Sequence, residues 1–244
     1  MVEEEIPKSG ANRVPRHIGI ILDGNRRFAK KLMLKPWMGH EWGAKKVEQL
    51  LNWITELGIR EVTLYSFSMQ NFDRPKEEFE FLMQLFKKEF STIINEQLFN
   101  INAKGIRMSF IGRINLFPRY VQDLMLELME KTKSNNKFLV NFAMAYGGRE
   151  EVIDAVQKIG EQIKRGKLDV TTINEQSFGK YLYLNSDPDL IIRTGGEHRT
   201  SNFLIWQSWY AEWVFLDKTW PEFEKEDLLC AVKEYEERER RLGK

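Results

Sequence analysis

The 244-residue chain has a single cysteine, Cys230, so it closes no internal disulfide and builds no cysteine zinc site, as suits a reducing, cytoplasmic setting. Long hydrophobic runs are missing too. Stretches such as His17-Ile-Gly-Ile-Ile-Leu22 stop far short of the ~18–20 apolar residues that span a bilayer. Neither sign of charge is in excess, with 37 Lys and Arg against 36 Asp and Glu. No global field therefore draws the protein onto nucleic acid, and any anion site must be local. The N-terminus, Met-Val-Glu-Glu-Glu, lacks the basic start and apolar centre of a signal peptide, so export is not expected.

With 42% hydrophobic and 30% charged residues, the chain has the make-up of a globular protein and the length for one domain. Residues 1–16, with Pro7, Gly10 and Pro15, read as a loose leader; residues 17–244 read as the domain. Strands are expected at His17–Leu22, Val62–Phe67, Ile106–Ile111, Phe138–Ala143 and Leu190–Arg193, with a further apolar piece at Trp213–Leu216. Helical spacing predicts helices from Ala44 to Leu57, from Arg74 through a greasy stripe of Phe79 to Ile93, over Arg119–Lys131 and Glu150–Lys164, near Phe178–Leu182, over Phe203–Tyr210 and from Lys225. Alternation of strand and helix predicts an α/β fold, a mostly parallel sheet covered by helices.

Four polar segments follow predicted strands: Asp23-Gly-Asn-Arg-Arg27, Ser68 to Arg74, Tyr146-Gly-Gly-Arg149 and Arg193 to Asn202. Loops after parallel strands share one rim of a sheet, where ligands bind, so these should converge. Arginine forks and glycines that let backbone N–H groups approach closely suit phosphate. Two separate clusters, around residues 24–27 and 193–201, imply two phosphate-bearing groups held together. Asp23, an acid among bases, is explained by a divalent cation bridging carboxylate and phosphate, with magnesium expected. Two motifs are decoys. His40-Glu41 has Ala44 where a zinc protease needs its second histidine, and Gly160 to Lys167 has one residue too many for a P-loop and no Ser or Thr after the lysine.

The wording of His17 to Lys30, Gly39-His40, Ser66 to Pro75, Ile192 to Phe203 and Trp206 to Glu212 resembles the cis-prenyltransferases, the undecaprenyl diphosphate synthase family, in order over about residues 17–243. The resemblance implies repeated condensation of isopentenyl diphosphate onto an allylic diphosphate primer. The expected product is a long polyprenyl diphosphate, precursor of a glycosyl carrier lipid. It also implies a parallel sheet with a hydrophobic tunnel, magnesium, a homodimer and peripheral membrane contact on product release. Asp23 then matches the family's essential aspartate, and Gly24, Asn25, Arg26, Arg27 and Phe28 its allylic diphosphate loop. His40, Ser68, Phe72 and Arg74 fall to the same substrate, with Asn71 implicated in catalysis. Arg193, Arg199 and Ser201 match the isopentenyl diphosphate site, Glu212 a carboxylate near the metal, and Arg241 and Gly243 a C-terminal element reaching a partner subunit's site.

Phe28 and Phe72 stand where tryptophans are common, Pro36 where many bacterial members have arginine, and the Arg26-Arg27 pair is closer to archaeal and eukaryotic wording. Geranylgeranyl diphosphate is then a candidate primer beside farnesyl diphosphate. No Asp-Asp pair occurs, which excludes the trans-prenyltransferase class. A non-catalytic partner subunit of a heteromeric synthase is the rival reading.

Overall fold

Burial on both faces explains why β1, His17–Ile21, reads as an unbroken apolar run. The computed structural model describes residues 14–238. After β1 come α1 Asn25–Lys31, α2 Gly39–Leu57, β2 Glu61–Ser68, α3 Lys76–Thr92, α4 Leu98–Lys104, β3 Ile106–Ile111 and α5 Arg119–Thr132. The second half adds β4 Phe138–Tyr146, α6 Gly148–Lys164, α7 Glu175–Gly179, β5 Leu190–Arg193, β6 Glu212–Phe215 and α8 Lys225–Glu237. The strands form one sheet in the order β3-β4-β2-β1-β5-β6, and every pairing is parallel. From β1 the chain adds β2, runs out to the edge strand β3, returns to insert β4 between them and resumes on the other side of β1 with β5, so the crevice between β1 and β5 is the switch point where α/β sheets take ligands.

The strand period of two sorts the core into two layers. Ile18 and Ile20 face a large cluster with Leu50, Ile54, Leu82, Met125 and Leu228 of the covering helices. Ile21 and Ile191 face the other way, onto Tyr146, Phe203 and Leu204. At Gly19 a Cβ would stand 3.1 Å from the Phe203 ring, so glycine lets the segment after residue 199 close onto the sheet.

Several boundaries depart from expectation. Helix α2 begins at Gly39 rather than Ala44, because its first turn packs on α1 through glycines: a Cβ on Gly39 would lie 1.9 Å from the Asn25 carbonyl. The residues after Asp23, read as a loop, coil at once into α1. One wide i→i+5 turn at Ile93–Gln97 links α3 to α4, extending the greasy helix to Lys104. Helix α7 starts ahead of expectation because Asn174 caps it, accepting from the Ser177 N–H at 2.9 Å. The stretch Phe203–Tyr210 is a series of turns, not a helix: positive φ at Ser201, Asn202 and Leu204 is incompatible with helix initiation. No helix among the described residues is long and apolar enough to cross a membrane.

Candidate active site

Where β1 and β5 end side by side, Ile21 is in register with Arg193. Asp23 follows two residues on, and its Oδ2 accepts from Arg193 Nη2 at 2.8 Å. Arg193 is only 3% exposed, a guanidinium held almost out of water; its Nη1 donates to Ser201 Oγ at 2.7 Å and to the Arg199 carbonyl. Asp23 Oδ1 accepts from the Gly24 N–H at 2.7 Å, with Arg27 Nη2 3.3 Å away. Gly24 permits this turn: its φ is +102°, and a side chain there would collide with Thr219. Trp220 N–H and Thr194 Oγ1 both donate to the Asp23 carbonyl at 2.8 Å, fixing the loop from two sides.

A second cluster forms after β2. Ser68 N–H donates to Asn71 Oδ1 at 3.0 Å and the Ser68 side chain accepts from the Asn71 N–H, a reciprocal cap that sets the 3₁₀ turn Met69–Asp73. Arg74 Nη1 donates to Glu78 Oε1 at 3.0 Å and lies 3.2 Å from His40 Nε2. Glu78 is 1% exposed, and its Oε2 is buried without a hydrogen bond, 3.8 Å from Arg26 Nε. His40, with Arg74 and Arg26, holds the Glu78 carboxyl below the usual carboxylate range against its burial. Burial holds the His40 imidazole below its ordinary value; Glu78 opposes this and Arg74 reinforces it. Sequence reading missed Glu78.

Both clusters open onto one cavity of about 320 Å³, whose mouth is lined by Asp23, Asn25, His40, Ser68, Asn71, Arg74, Arg193 and Ser201. Its walls are Ala44, Val47 and Leu51 of α2, Leu82, Leu85, Phe86 and Phe90 of α3, and Phe67, Phe142 and Met144 of the sheet, reaching Ile101 and Met108. The expected tunnel therefore lies between the sheet and the α2–α3 pair. Part of the α3 stripe is plain core, since Phe79 packs on Phe67 and Phe72.

The remaining expected residues fall elsewhere. Arg27 sits at the rim and donates to the Gly195 carbonyl. Arg26 is half exposed beside Glu78, and Arg199 is exposed and pairs with Glu197. Phe28 packs against Trp42, with ring centroids 5.8 Å apart, and Phe72 lies in an aromatic cluster with Phe67 and Phe117. Glu212, expected near the metal, opens β6 in register with Leu190, at the opposite rim of the sheet from Asp23, and takes Arg238 Nη1 at 2.6 Å. A parallel β6 puts its first residue there, so within this chain Glu212 does not join Asp23. The Tyr146–Arg149 loop reaches the right rim but braces Asn202, whose carbonyl accepts from the Gly148 N–H at 2.7 Å and whose Oδ1 accepts from the Arg149 N–H at 2.9 Å. Arg241 and Gly243 lie outside the described residues.

Residues 21–243 match the family model described as putative undecaprenyl diphosphate synthase. A tritrans,polycis-undecaprenyl-diphosphate synthase (geranylgeranyl-diphosphate specific) of Methanocaldococcus jannaschii is 48% identical, over 100% of this chain and 87% of that protein. Its namesake in Methanopyrus kandleri is 46% identical over 99% and 88%. The crystal structure of lavandulyl diphosphate synthase from Lavandula x intermedia, in complex with dimethylallyl diphosphate, matches with a TM-score of 0.87 at 33% identity, covering 95% of this chain and 99% of that one. A probable undecaprenyl diphosphate synthase from Campylobacter jejuni matches at 0.77 and 31%, over 94% and 99%. With a polar, arginine-rich mouth over an apolar cavity and likeness along its whole length, the chain belongs to the undecaprenyl diphosphate synthase family of prenyl-transferring enzymes.

Proposed function

We propose that the protein adds isopentenyl diphosphate units in cis to an allylic primer, geranylgeranyl diphosphate in preference to farnesyl diphosphate, to build a long polyprenyl diphosphate that serves as precursor of a glycosyl carrier lipid. The observation that carries this reading is the 2.8 Å contact between Asp23 and Arg193 at the mouth of an apolar cavity. The primer preference rests on the names of the archaeal relatives.

Breaking the allylic C–O bond leaves charge on diphosphate, so guanidiniums fixed beforehand stabilise the transition state more than the ground state. Arg27, Arg74 and the neutral His40 receive the allylic diphosphate; Arg193, Arg199 and Ser201 hold isopentenyl diphosphate so that its double bond faces the allyl carbon. Asn71 has its carbonyl oxygen committed to Ser68, which leaves its amide N–H groups as the donor at the reacting centre. The hydrocarbon enters the cavity, where each five-carbon unit gains roughly 4 kcal/mol from burial. Such a grip makes product release limiting, and detergent or lipid then raises the steady-state rate.

Among the described residues no three His, Cys, Asp or Glu side chains gather into a metal cage. A single part-exposed carboxylate, with substrate oxygens completing the shell, suits magnesium, which keeps few protein ligands. Asp23 is the residue that would hold it, and the ion would supply positive charge to the diphosphates. The protein acts as a homodimer in this reading. The rival, a non-catalytic partner subunit, is disfavoured because Asp23, Asn25, Arg27 and Asn71 are all present. Incubating the purified protein alone with labelled isopentenyl diphosphate, Mg²⁺ and geranyl, farnesyl or geranylgeranyl primers tests it. Long products are expected, most from geranylgeranyl diphosphate, and none from any primer would refute it.

A further inference from the structure

We propose that the turn joining α1 to α2, residues 30–37, is a docking tip that seats the cavity mouth on an anionic lipid bilayer. The tip is apolar where proteins are usually polar. Met33 is 96% exposed, and Leu32 beside it is 47% exposed. Met33 has φ +58°, a left-handed turn that favours Gly or Asn, yet the position carries a long apolar side chain thrust into solvent. Single exposed apolar residues are ordinary, but here two adjoin in one turn, with Trp37 and Trp42 close after them in sequence. Trp42, 37% exposed in the first turn of α2, packs on Phe28 of α1, and Trp37 lies under the Lys35 ammonium at 5.4 Å.

The charge around this projection is one-sided. From Arg26 to Lys46 there are seven Lys or Arg and one acid, Glu41, in a chain whose totals nearly cancel. Some of these cations are committed: Arg26 faces Glu78, Arg27 faces Asp23, Lys31 pairs with Glu222 and Lys46 with Glu224. Lys30 and Lys35, at the two ends of the turn, are exposed and have no ion-pair partner among the described residues; Lys45, also exposed and without one, lies at the cavity. An aliphatic point inside a lysine and tryptophan collar is the chemistry of a bilayer interface, with apolar atoms entering the acyl boundary and ammonium groups at the lipid phosphates.

The tip is also firmly tied to the site. Met33 N–H donates to the Lys30 carbonyl at 3.0 Å and Leu34 N–H to the Ala29 carbonyl at 2.9 Å, closing the turn on the end of α1. The other end of α1 carries Asn25 at the cavity mouth, about 10 Å away for seven helical residues. Helix α2 runs back from the tip with Ala44 and Val47 in the cavity wall. Purpose, though not the test, rests on the proposed prenyl transfer: a chain released at such a mouth passes into lipid without crossing water.

Flotation with vesicles of phosphatidylcholine alone, or with about a third phosphatidylglycerol, tests this directly. The protein is expected to float with the anionic vesicles and to dissociate as salt is raised. K30A lowers the partitioning about fivefold, and L32S/M33S at least tenfold, both with native circular dichroism. Both variants keep the parent's condensation rate on geranyl diphosphate in detergent, so loss of docking is read apart from loss of chemistry. Absence of parent flotation, or variants that float as the parent does, overturns the proposal. A change in oligomeric mass in L32S/M33S with flotation unaltered also overturns it, making the face a contact between copies. A protein that floats but makes no product refutes the proposed function and leaves the docking tip standing.

Discussion

Arg193 reaches across 170 positions of sequence to put Nη2 2.8 Å from Asp23 Oδ2. The contact joins the loop after β1 to the end of β5, so the residues assigned to two different substrates meet at one mouth. The second arm of the same guanidinium holds Ser201, whose left-handed φ of +49° sets the turn that follows. A fork in this position is a geometric device, and lysine, a point charge, serves only one of its two arms. Arg193→Lys is therefore expected to lower kcat/KM for isopentenyl diphosphate by about 100-fold with far less change in the primer KM. Steady-state kinetics with each substrate varied in turn checks it, and equal losses for both substrates would detach Arg193 from its assigned site.

Glu78 is the counter-ion of the cluster assigned to the primer. It lies within 4 Å of Arg74, His40 and Arg26, and its nearly complete burial means that no water replaces it when it is changed. Glu78→Gln keeps the shape and removes the charge, which frees the two arginines from their anchor. The expected outcome is a primer KM raised about tenfold or more, an isopentenyl diphosphate KM near the parent's, and a loss of about 1–3 kcal/mol in stability. Glu78→Asp is expected to recover part of the primer affinity; an unaltered primer KM in Glu78→Gln would show the cluster to be structural only.

Stability should fall on mild acidification. Burial holds both His17 and His40 below 6.5, the value at which the unfolded chain's imidazoles take up protons. Below that pH the unfolded state binds more protons than the folded one, so unfolding becomes easier by up to about 1.4 kcal/mol per pH unit for each histidine. The Glu151 carboxyl, pushed up by burial, works in the opposite sense as the pH falls through its raised value. Comparing the parent with His40→Gln isolates the imidazole: denaturant midpoints from pH 7 towards pH 5, about the range of histidine titration, should fall less steeply in the variant. Parallel slopes would mean that His40 takes up its proton as readily in the fold as in the unfolded chain.

Cavity depth sets how much chain is sheltered. Ile101 lines it on α4, far along the α3–α4 helix from the mouth, so Ile101→Trp fills space there without touching the diphosphate groups. Shorter products with an unchanged first condensation rate are expected, read by sizing the labelled chains. Products of parental length would show that the chain leaves the cavity before reaching α4.

Much of the site was legible because its chemistry is written in contiguous words. Asp23, Asn25, Ser68, Asn71, Arg193 and Ser201 line the mouth as their position after parallel strands requires. Glu78 was hidden in the run Glu77-Glu78-Phe-Glu80, where nothing in the sequence sets it apart from its acidic neighbours until folding brings Arg26, His40 and Arg74 around it. Glu212 was expected near the metal from the family resemblance alone. Within this chain, strand direction sets it at the far rim from Asp23. The aromatic stretch after Phe203 looked helical because its apolar residues are dense, whereas its backbone is fixed by left-handed turns and by Gln207, whose amide bonds Glu151 and the Leu184 carbonyl.

The most direct test compares the parent with Asp23→Asn, which keeps the size of the side chain and loses its charge. Purified proteins are given labelled isopentenyl diphosphate, geranylgeranyl diphosphate and Mg²⁺, and the products are extracted and sized. The account predicts long polyprenyl chains from the parent and at least a ~1,000-fold lower yield from the variant, with both circular dichroism spectra native. Comparable yields from the two proteins would contradict the role given to the carboxylate that meets Arg193.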